Sequence, residues 1–225
     1  MLRPVGELSV RQVAEEDWAN AWKEHFQVHK VGRRTVIVPS WREYAPQPGE
    51  VTILLDPGMA FGTGLHPPTP LCLTALEDHV KPGLRVLDLG SGSGILAIAA
   101  ARLGAASVLA LDTDAVAVQV ARANVAANGV AETVRVEQGT LNPPRRPEIS
   151  GMVWDVIVAN IIAQVLIDLA PYLVTALAPG GLLIASGIIN ERADDVAASL
   201  MAQGLVLVDK RVEGDWVALI GACGE

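Results

Sequence analysis

Apolar positions along this chain recur with two spacings, and the switch from one to the other marks element after element. From residue 84 onward, short unbroken runs of Val, Ile, Leu and Ala alternate with longer stretches whose apolar side chains return every three or four positions. The first kind fits a strand covered on both faces, the second an amphipathic helix. The pattern predicts strand 84–89, helix 94–103, strand 107–111, helix 114–128, strand 133–137, strand 153–159, helix 163–177, strand 182–186 and helix 190–203. Asn128-Gly129 and Gly204 stop helices, and Pro179-Gly180-Gly181 turns the chain into 182–186. The last stretch, Leu205–Val212 and Trp216–Ile220 around Glu213-Gly214-Asp215, reads as a β-hairpin. Repeated strand–helix units predict a parallel sheet with helices on both faces.

Ahead of residue 84 the pattern is less regular. Trp18, Trp22 and Phe26 share one face of a helix predicted over 14–28, with Glu15, Glu16 and Asp17 in its first turn where the helix dipole favours anions. Those aromatics are read as docking the helix on a neighbour. His25 and His29 have an i, i+4 spacing but no third ligand nearby, so no metal is assigned. Thr35–Val38 and Val51–Leu55 are short strands, with a turn at Pro46-Gln47-Pro48-Gly49 between them. The stretch from Asp56 to Thr69 holds three glycines and three prolines, which makes it a shaped, ligand-contacting loop. Phe61, Gly62, Thr63, Gly64 and His66 are its candidate substrate-facing residues, and a helix over 69–80 follows. The division expected is an N-terminal linker helix with short strands over 1–50 and one catalytic domain over 51–225.

Composition narrows the function. With 225 residues and 51% of them apolar, the chain is large enough for one substantial α/β domain. The net charge of −8 lies entirely beyond residue 50, because the first fifty residues carry 7 basic and 7 acidic side chains. An acidic domain argues against a direct nucleic-acid partner and suits a cationic cofactor or a basic protein substrate. No apolar run is long enough to span a membrane, and Met1-Leu2-Arg3-Pro4 does not open a signal peptide. Two cysteines, Cys72 and Cys223, occur without CxxC spacing, so a reduced cytoplasmic protein without disulfides is expected.

The chemistry collects at strand ends. Val86-Leu87-Asp88-Leu89 runs into Gly90-Ser91-Gly92-Ser93-Gly94 and then a helix, the strand–turn–helix pattern of a nucleotide-binding crossover. Gly90, Gly92 and Gly94 let backbone approach a bound small molecule closely. Asp88 serves either as organiser of the loop or as a ligand near a cofactor amino group. Asp112 ends the next strand, 22 residues after Gly90, where a carboxylate accepts hydrogen bonds from a ribose diol. Helix capping is the competing role there, one that Thr113 or Asp114 could also fill. Gly139 and Thr140 end the third strand, on the adenine side. Asn160 ends the fourth, in Val158-Ala159-Asn160, where an amide oxygen can accept from an amine and aim its lone pair.

Over about residues 12–222 the sequence resembles the PrmA family, the ribosomal protein L-eleven methyltransferases. The most specific part is Gly58-Met59-Ala60-Phe61-Gly62-Thr63-Gly64 followed by His66 and Thr69, joined by Val86–Gly94 and Val158-Ala159-Asn160. The resemblance implies the Rossmann-like class I methyltransferase fold, a seven-stranded mostly parallel sheet with a C-terminal antiparallel hairpin. It implies S-adenosyl-L-methionine as cofactor, S-adenosyl-L-homocysteine as product, and methylated lysine ε-amines and an N-terminal α-amine on a ribosomal protein. By position the family's cofactor contacts fall on Thr69, Gly90, Asp112 and Asn160. Family members usually carry an N-terminal substrate-recognition domain ahead of the linker helix, and Met1–Arg11 is too short for one. Another acceptor on the same fold is the nearest rival reading. A nicotinamide-dependent oxidoreductase rests on the glycine turn alone, and a non-catalytic cofactor-binding module on the expected lack of the recognition domain.

Overall fold

The computed structural model describes residues 27–55, 66–142 and 151–224. Residues 14–26 of the helix read over 14–28 and most of the Asp56–Thr69 loop, Phe61, Gly62, Thr63 and Gly64 included, therefore lie outside the described residues, and Gln27 and Val28 are not helical. His29 sits in a strand, so its helical spacing from His25 does not extend to it.

Three short strands come first: β1 (His29–Val31), β2 (Thr35–Val38) and β3 (Val51–Leu54). β1 pairs antiparallel with β2, and β2 parallel with β3, so the strands on either side of residue 50 share one small sheet. Helix α1 (Pro68–His79) leads to the main sheet. Its strands and helices are β4 (Arg85–Leu89), α2 (Ile95–Arg102), β5 (Ser107–Asp112), α3 (Ala115–Ala127), β6 (Val134–Gln138), β7 (Trp154–Asn160), α4 (Ala163–Thr175), β8 (Leu177–Ile189), α5 (Ala193–Ala202), β9 (Leu205–Glu213) and β10 (Trp216–Cys223). The order across the sheet is β6-β5-β4-β7-β8-β10-β9. Only β10 runs against its neighbours, inserted between β8 and β9. This is the seven-stranded, mostly parallel class I methyltransferase arrangement.

The unbroken apolar runs in the central strands follow from burial on both faces. Val86, Val108, Val136, Val156 and Ile184 pack with Leu73, Leu76, Ile98 and Val118 of α1, α2 and α3. Leu87, Leu111, Ile157 and Leu183 turn the other way, onto Leu166, Leu173, Val196 and Leu200 of α4 and α5. Each such side chain, fully buried, contributes about 1.5–3 kcal/mol relative to exposure. Among the described residues no helix is long and apolar enough to cross a membrane. Cys72 is buried, Cys223 half-buried, and both are free thiols.

Two departures from the sequence pattern have local causes. Strand β8 begins at Leu177 rather than 182, because the Pro179-Gly180-Gly181 segment is absorbed as a bulge: Leu177 faces Trp154 and Leu182 faces Val156. Helix α4 tolerates Pro171 in its interior. The missing N–H would orphan the carbonyl of Ile167. Ser199 Oγ of α5 donates to that oxygen at 3.4 Å.

Polar side chains tie the small sheet to the domain. Glu77 of α1 accepts from the backbone N–H groups of Arg33, Arg34 and Thr35 at 2.9, 2.9 and 2.6 Å. Asp78 pairs with Arg33 of the β1–β2 turn and Arg211 of β9. Buried Asn128, just past α3, holds β3 from the other side: its Oδ1 accepts from Leu54 N and its Nδ2 donates to Leu54 O, each at 2.8 Å. Asn128→Ala leaves a buried donor and acceptor unpaired and should lower stability by about 1–3 kcal/mol. An unchanged urea midpoint would show that β3 does not depend on this clamp.

Candidate functional site

The carboxyl ends of the parallel strands open into a cavity of about 470 Å³. Ligands of open α/β sheets sit at this edge, where strand order reverses, here between β4 and β7. The tips of six strands contribute, from Gly139 and Thr140 after β6 to Trp216 at the start of antiparallel β10. His66, Pro68 and Thr69 close it from the α1 side.

The glycine loop between β4 and α2 is folded onto the end of β5. The N–H groups of Gly90 and Ser91 both donate to Leu111 O, at 2.8 and 3.0 Å, and Gly94 N donates to Ser91 O at 2.8 Å. Gly90, Gly92 and Gly94 all have positive φ, which a side chain at these positions would strain. Asp112 fastens the arrangement: Oδ2 accepts from Gly92 N at 2.8 Å and Oδ1 from Asp114 N at 2.9 Å. The cap of α3 is Asp114, whose carboxylate accepts from Val116 N at 2.8 Å. A carboxylate offers about four lone-pair sites, so two acceptor positions on Asp112 remain.

Asp88 is fully buried and does not line the cavity; its Oδ2 accepts from Ala97 N at 2.9 Å inside the first turn of α2. It holds the loop from behind, and Oδ1 has no hydrogen-bond partner. Burial pushes its carboxyl up to about 7, with the Asp112 charge adding to the rise and the Ala97 N–H opposing it. Gly94 likewise stands behind the cavity, as the left-handed residue that opens α2. Of the two roles open to Asp88, its position is that of organiser, and neither Asp88 nor Gly94 lines the cavity.

At the β7 tip, Asn160 Nδ2 donates to Thr69 Oγ1 at 3.3 Å. Thr69 is 2% exposed, and its N–H donates to His66 O at 2.9 Å. Beyond Asn160 the lining becomes apolar: Ile161, Ile162, Val165, Leu169 and Trp216. His66 and Trp216 meet edge-on, with ring centroids 4.7 Å apart. Ile161 is seated between two glycines of positive φ. A Cβ on Gly90 would overlap Ile161 Cγ2, and a Cβ on Gly187 would fall 2.5 Å from Ile161 O.

The structure therefore brings Thr69, Gly90, Gly92, Asp112, Gly139, Thr140, Asn160 and His66 to one cavity. Sequence reasoning missed Trp216, Gly187, Ile161 and Ser91 as cavity residues. Gly187 had a usable signal, since it directly follows the apolar run read as strand 182–186. Among the described residues no cluster of His, Cys, Asp and Glu has metal-binding geometry.

The family model described as ribosomal protein L11 methyltransferase (PrmA) matches residues 3–223. The chain belongs to this family. It is 54% identical to the ribosomal protein L11 methyltransferase of Chloroflexus aurantiacus over 97% of its own length and 73% of that protein's. Against the protein of the same name from Pelotomaculum thermopropionicum it is 51% identical, covering 96% of this chain and 68% of the relative. The solved ribosomal protein L11 methylase from Lactobacillus delbrueckii subsp. bulgaricus superposes with a TM-score of 0.81 at 35% identity, over 89% of this chain and all of that one. A methyltransferase from Pyrococcus furiosus shares the fold, with a TM-score of 0.57 at 19% identity. A nicotinamide-dependent oxidoreductase is thereby set aside: this is a methyltransferase of the PrmA family.

Two outcomes follow for this family member. Gly187→Ala forces Cβ onto the Ile161 backbone and a side chain into the left-handed region, costing about 1–3 kcal/mol of stability; a wild-type urea midpoint would contradict that packing. Asp88 has a folded-state pKa raised from 3.8 to about 7. Its contribution to stability is therefore complete below pH 3.8 and is lost as pH rises through 7. Asp88→Asn keeps an acceptor for Ala97 N and cannot ionise, so it should gain stability relative to wild type between pH 5 and pH 8. Urea unfolding at both pH values checks this, and a difference that does not change with pH would refute it.

Proposed function

We propose that this chain transfers methyl groups from S-adenosyl-L-methionine to primary amines of ribosomal protein L11, lysine ε-amines and the N-terminal α-amine, in the cytoplasm. The observation that carries the reading is a single cavity in a PrmA-family chain, with the Asp112 carboxylate on one side and the Thr69-held Asn160 amide near its middle. Its volume of about 470 Å³ falls within the roughly 300–1,000 Å³ of small-molecule sites. The acceptor set suits the cofactor: Asp112 retains acceptor capacity for two ribose hydroxyls at the cavity wall. Gly139 and Thr140 border the adenine side. When bound, S-adenosyl-L-methionine supplies a methyl already activated on a sulfonium and leaves as S-adenosyl-L-homocysteine.

The chain's own residues then hold and orient. Asn160 spends its Nδ2 on Thr69, so its Oδ1 is left to accept from the incoming amine and aim the nitrogen lone pair. A lysine amine with an ordinary pKa of about 10.4 arrives protonated and must first lose that proton. The apolar wall beyond Asn160 favours the neutral form, and bulk water takes the proton before attack. No general base is required of the lining residues.

The test is transfer of labelled methyl to purified ribosomal protein L11, with cofactor binding measured in parallel by calorimetry. Asp112→Ala should weaken cofactor binding about tenfold or more, the scale of lost hydrogen bonds to a charged group. Unaltered affinity would remove the ribose role. Asn160→Ala should slow turnover while leaving cofactor affinity near wild type, and an unchanged rate would leave Asn160 only its hydrogen bond to Thr69. Cofactor binding without transfer to any protein of a cell extract would mark a binding module instead. Label appearing on a different protein would replace L11 as acceptor.

A further inference from the structure

We infer that Ser186 is a positioning residue for methyl transfer: it fixes the strand tip that carries Asn160 and the turn of α1 that carries Thr69, and so sets the direction of the Asn160 amide oxygen. The inference rests on the function proposed above and deepens it, by naming a residue that acts through Asn160 without lining the cavity itself.

Ser186 is fully buried behind the cavity wall. It is the partner of Asn160 across the parallel β7–β8 pair, so the two side chains point to the same face of the sheet. That face is the one covered by α1, because Asn160 meets Thr69 there. Three positions further along α1, on the same side of the helix, stands Cys72, whose thiol neighbours the Ser186 hydroxyl. Thr69 on Asn160 and Cys72 on Ser186 are thus two contacts, one helical turn apart, made to one register pair of strands. Together they set the rotation and height of α1 at its cavity end.

Two more bonds converge on the same residue. Ser186 Oγ donates to Val217 O of β10 at 3.0 Å, and Ser186 O accepts from Ile161 N at 3.1 Å. The hydroxyl crosses from β8 to β10 where their pairing shifts register. Val217 faces Ile188 and Leu219 faces Ala185, so Ser186 and Gly187 together stand opposite Ala218. A bulge of this kind disrupts the ladder locally, and the side-chain bond bridges it. Ile161, which follows Asn160, is held at both ends of its backbone. Its N–H is taken by Ser186 O, and its carbonyl lies over Gly187, where a Cβ would fall 2.5 Å away.

The hydroxyl matters here beyond its bulk. Its proton goes to Val217 O, so lone pairs are left for the thiol. Burial pushes Cys72 up to about 12, and a neutral S–H can donate to them. Alanine at 186 removes both links and leaves the bulge open beside the tip that bears Asn160. Asp112 and the glycine loop hang from β4 and β5, which Ser186 does not adjoin in the sheet. Misplacing the amide therefore acts on the chemical step, where a shift of about 1 Å can cost up to about a hundredfold.

The experiment measures methyl transfer to ribosomal protein L11 by wild type, Ser186→Ala, Asn160→Ala and the double variant, with cofactor affinity determined by calorimetry on each. Ser186→Ala should lower kcat about tenfold while KM for L11 and cofactor affinity stay within about twofold. In the Asn160→Ala background the same substitution should change kcat by less than about twofold, because no amide is left to position. An unchanged kcat, a cofactor affinity or KM that moves in step with kcat, or a tenfold loss that persists without Asn160 would each overturn the assignment. If Asn160→Ala shows no measurable transfer, Thr69→Val, which removes the acceptor for Asn160 Nδ2, supplies the background under the same criterion. If Ser186→Ala fails to fold, Cys72→Ala takes its place, with a kcat about threefold lower expected and an unchanged kcat again overturning it. No transfer by wild type, or Asn160→Ala at the wild-type rate, would instead overturn the functional reading itself, and this inference with it.

Discussion

The cavity depends above all on how the Asp112 carboxylate is used. One oxygen holds Gly92 of the first crossover loop and the other holds Asp114 at the start of the second. Two loops that leave neighbouring strands are thereby fixed to each other through one side chain. The carbonyl of Leu111, next to it in sequence, takes both Gly90 N and Ser91 N. The glycine loop is thus pinned to the end of β5 before any ligand arrives. Polar groups fixed in advance need not be reordered on binding, which is where much affinity is otherwise lost. The N–H groups of Gly90, Ser91, Gly92 and Gly94 are spent internally. What the loop offers a ligand is a close, side-chain-poor surface, with acceptors supplied by Asp112 beside it.

On the other side of the switch point the controlling contact is steric. Ile161 occupies space that exists only because residues 90 and 187 are glycines, and Ile161 N donates to Ser186 O at 3.1 Å. Asn160 is its immediate neighbour. The amide is therefore located by a residue held between the glycine loop after β4 and strand β8. A shift of either glycine moves both halves together, since close-packed groups transmit displacement rather than absorb it.

Much of this was legible in the chain. Continuous apolar runs gave the central strands to within a residue or two, because burial on both faces leaves no alternation to misread. The glycine turn and Asp112 were legible for a different reason: their spacing is set within one strand–helix–strand unit. What escaped was non-local or short. β1 has three residues, two of them exposed, and no periodicity to detect. Pro179-Gly180-Gly181 looks like a turn, yet pairing with β7 and β10 carries a strand through it. Trp216 reads as an ordinary hairpin residue until the antiparallel insertion of β10 puts its first residue at the same edge as the last residues of β4, β5 and β7. Asp88 was ambiguous because sequence does not say which face of a loop a strand residue supports.

The two acids of the crossover are set apart by their access to solvent. Asp88 is sealed beneath the loop, and Asp112 reaches its rim, half-buried with both oxygens hydrogen-bonded. Ionising Asp88 costs burial energy and repulsion from Asp112, so its proton is held to about 7. A cation placed against the loop would offset the same cost by attraction. Proton release from Asp88 and cation occupancy above it must then favour one another, since both act on one local potential. The loop and the acid beneath it thus form a single electrostatic unit, built from adjacent residues of one strand and one turn.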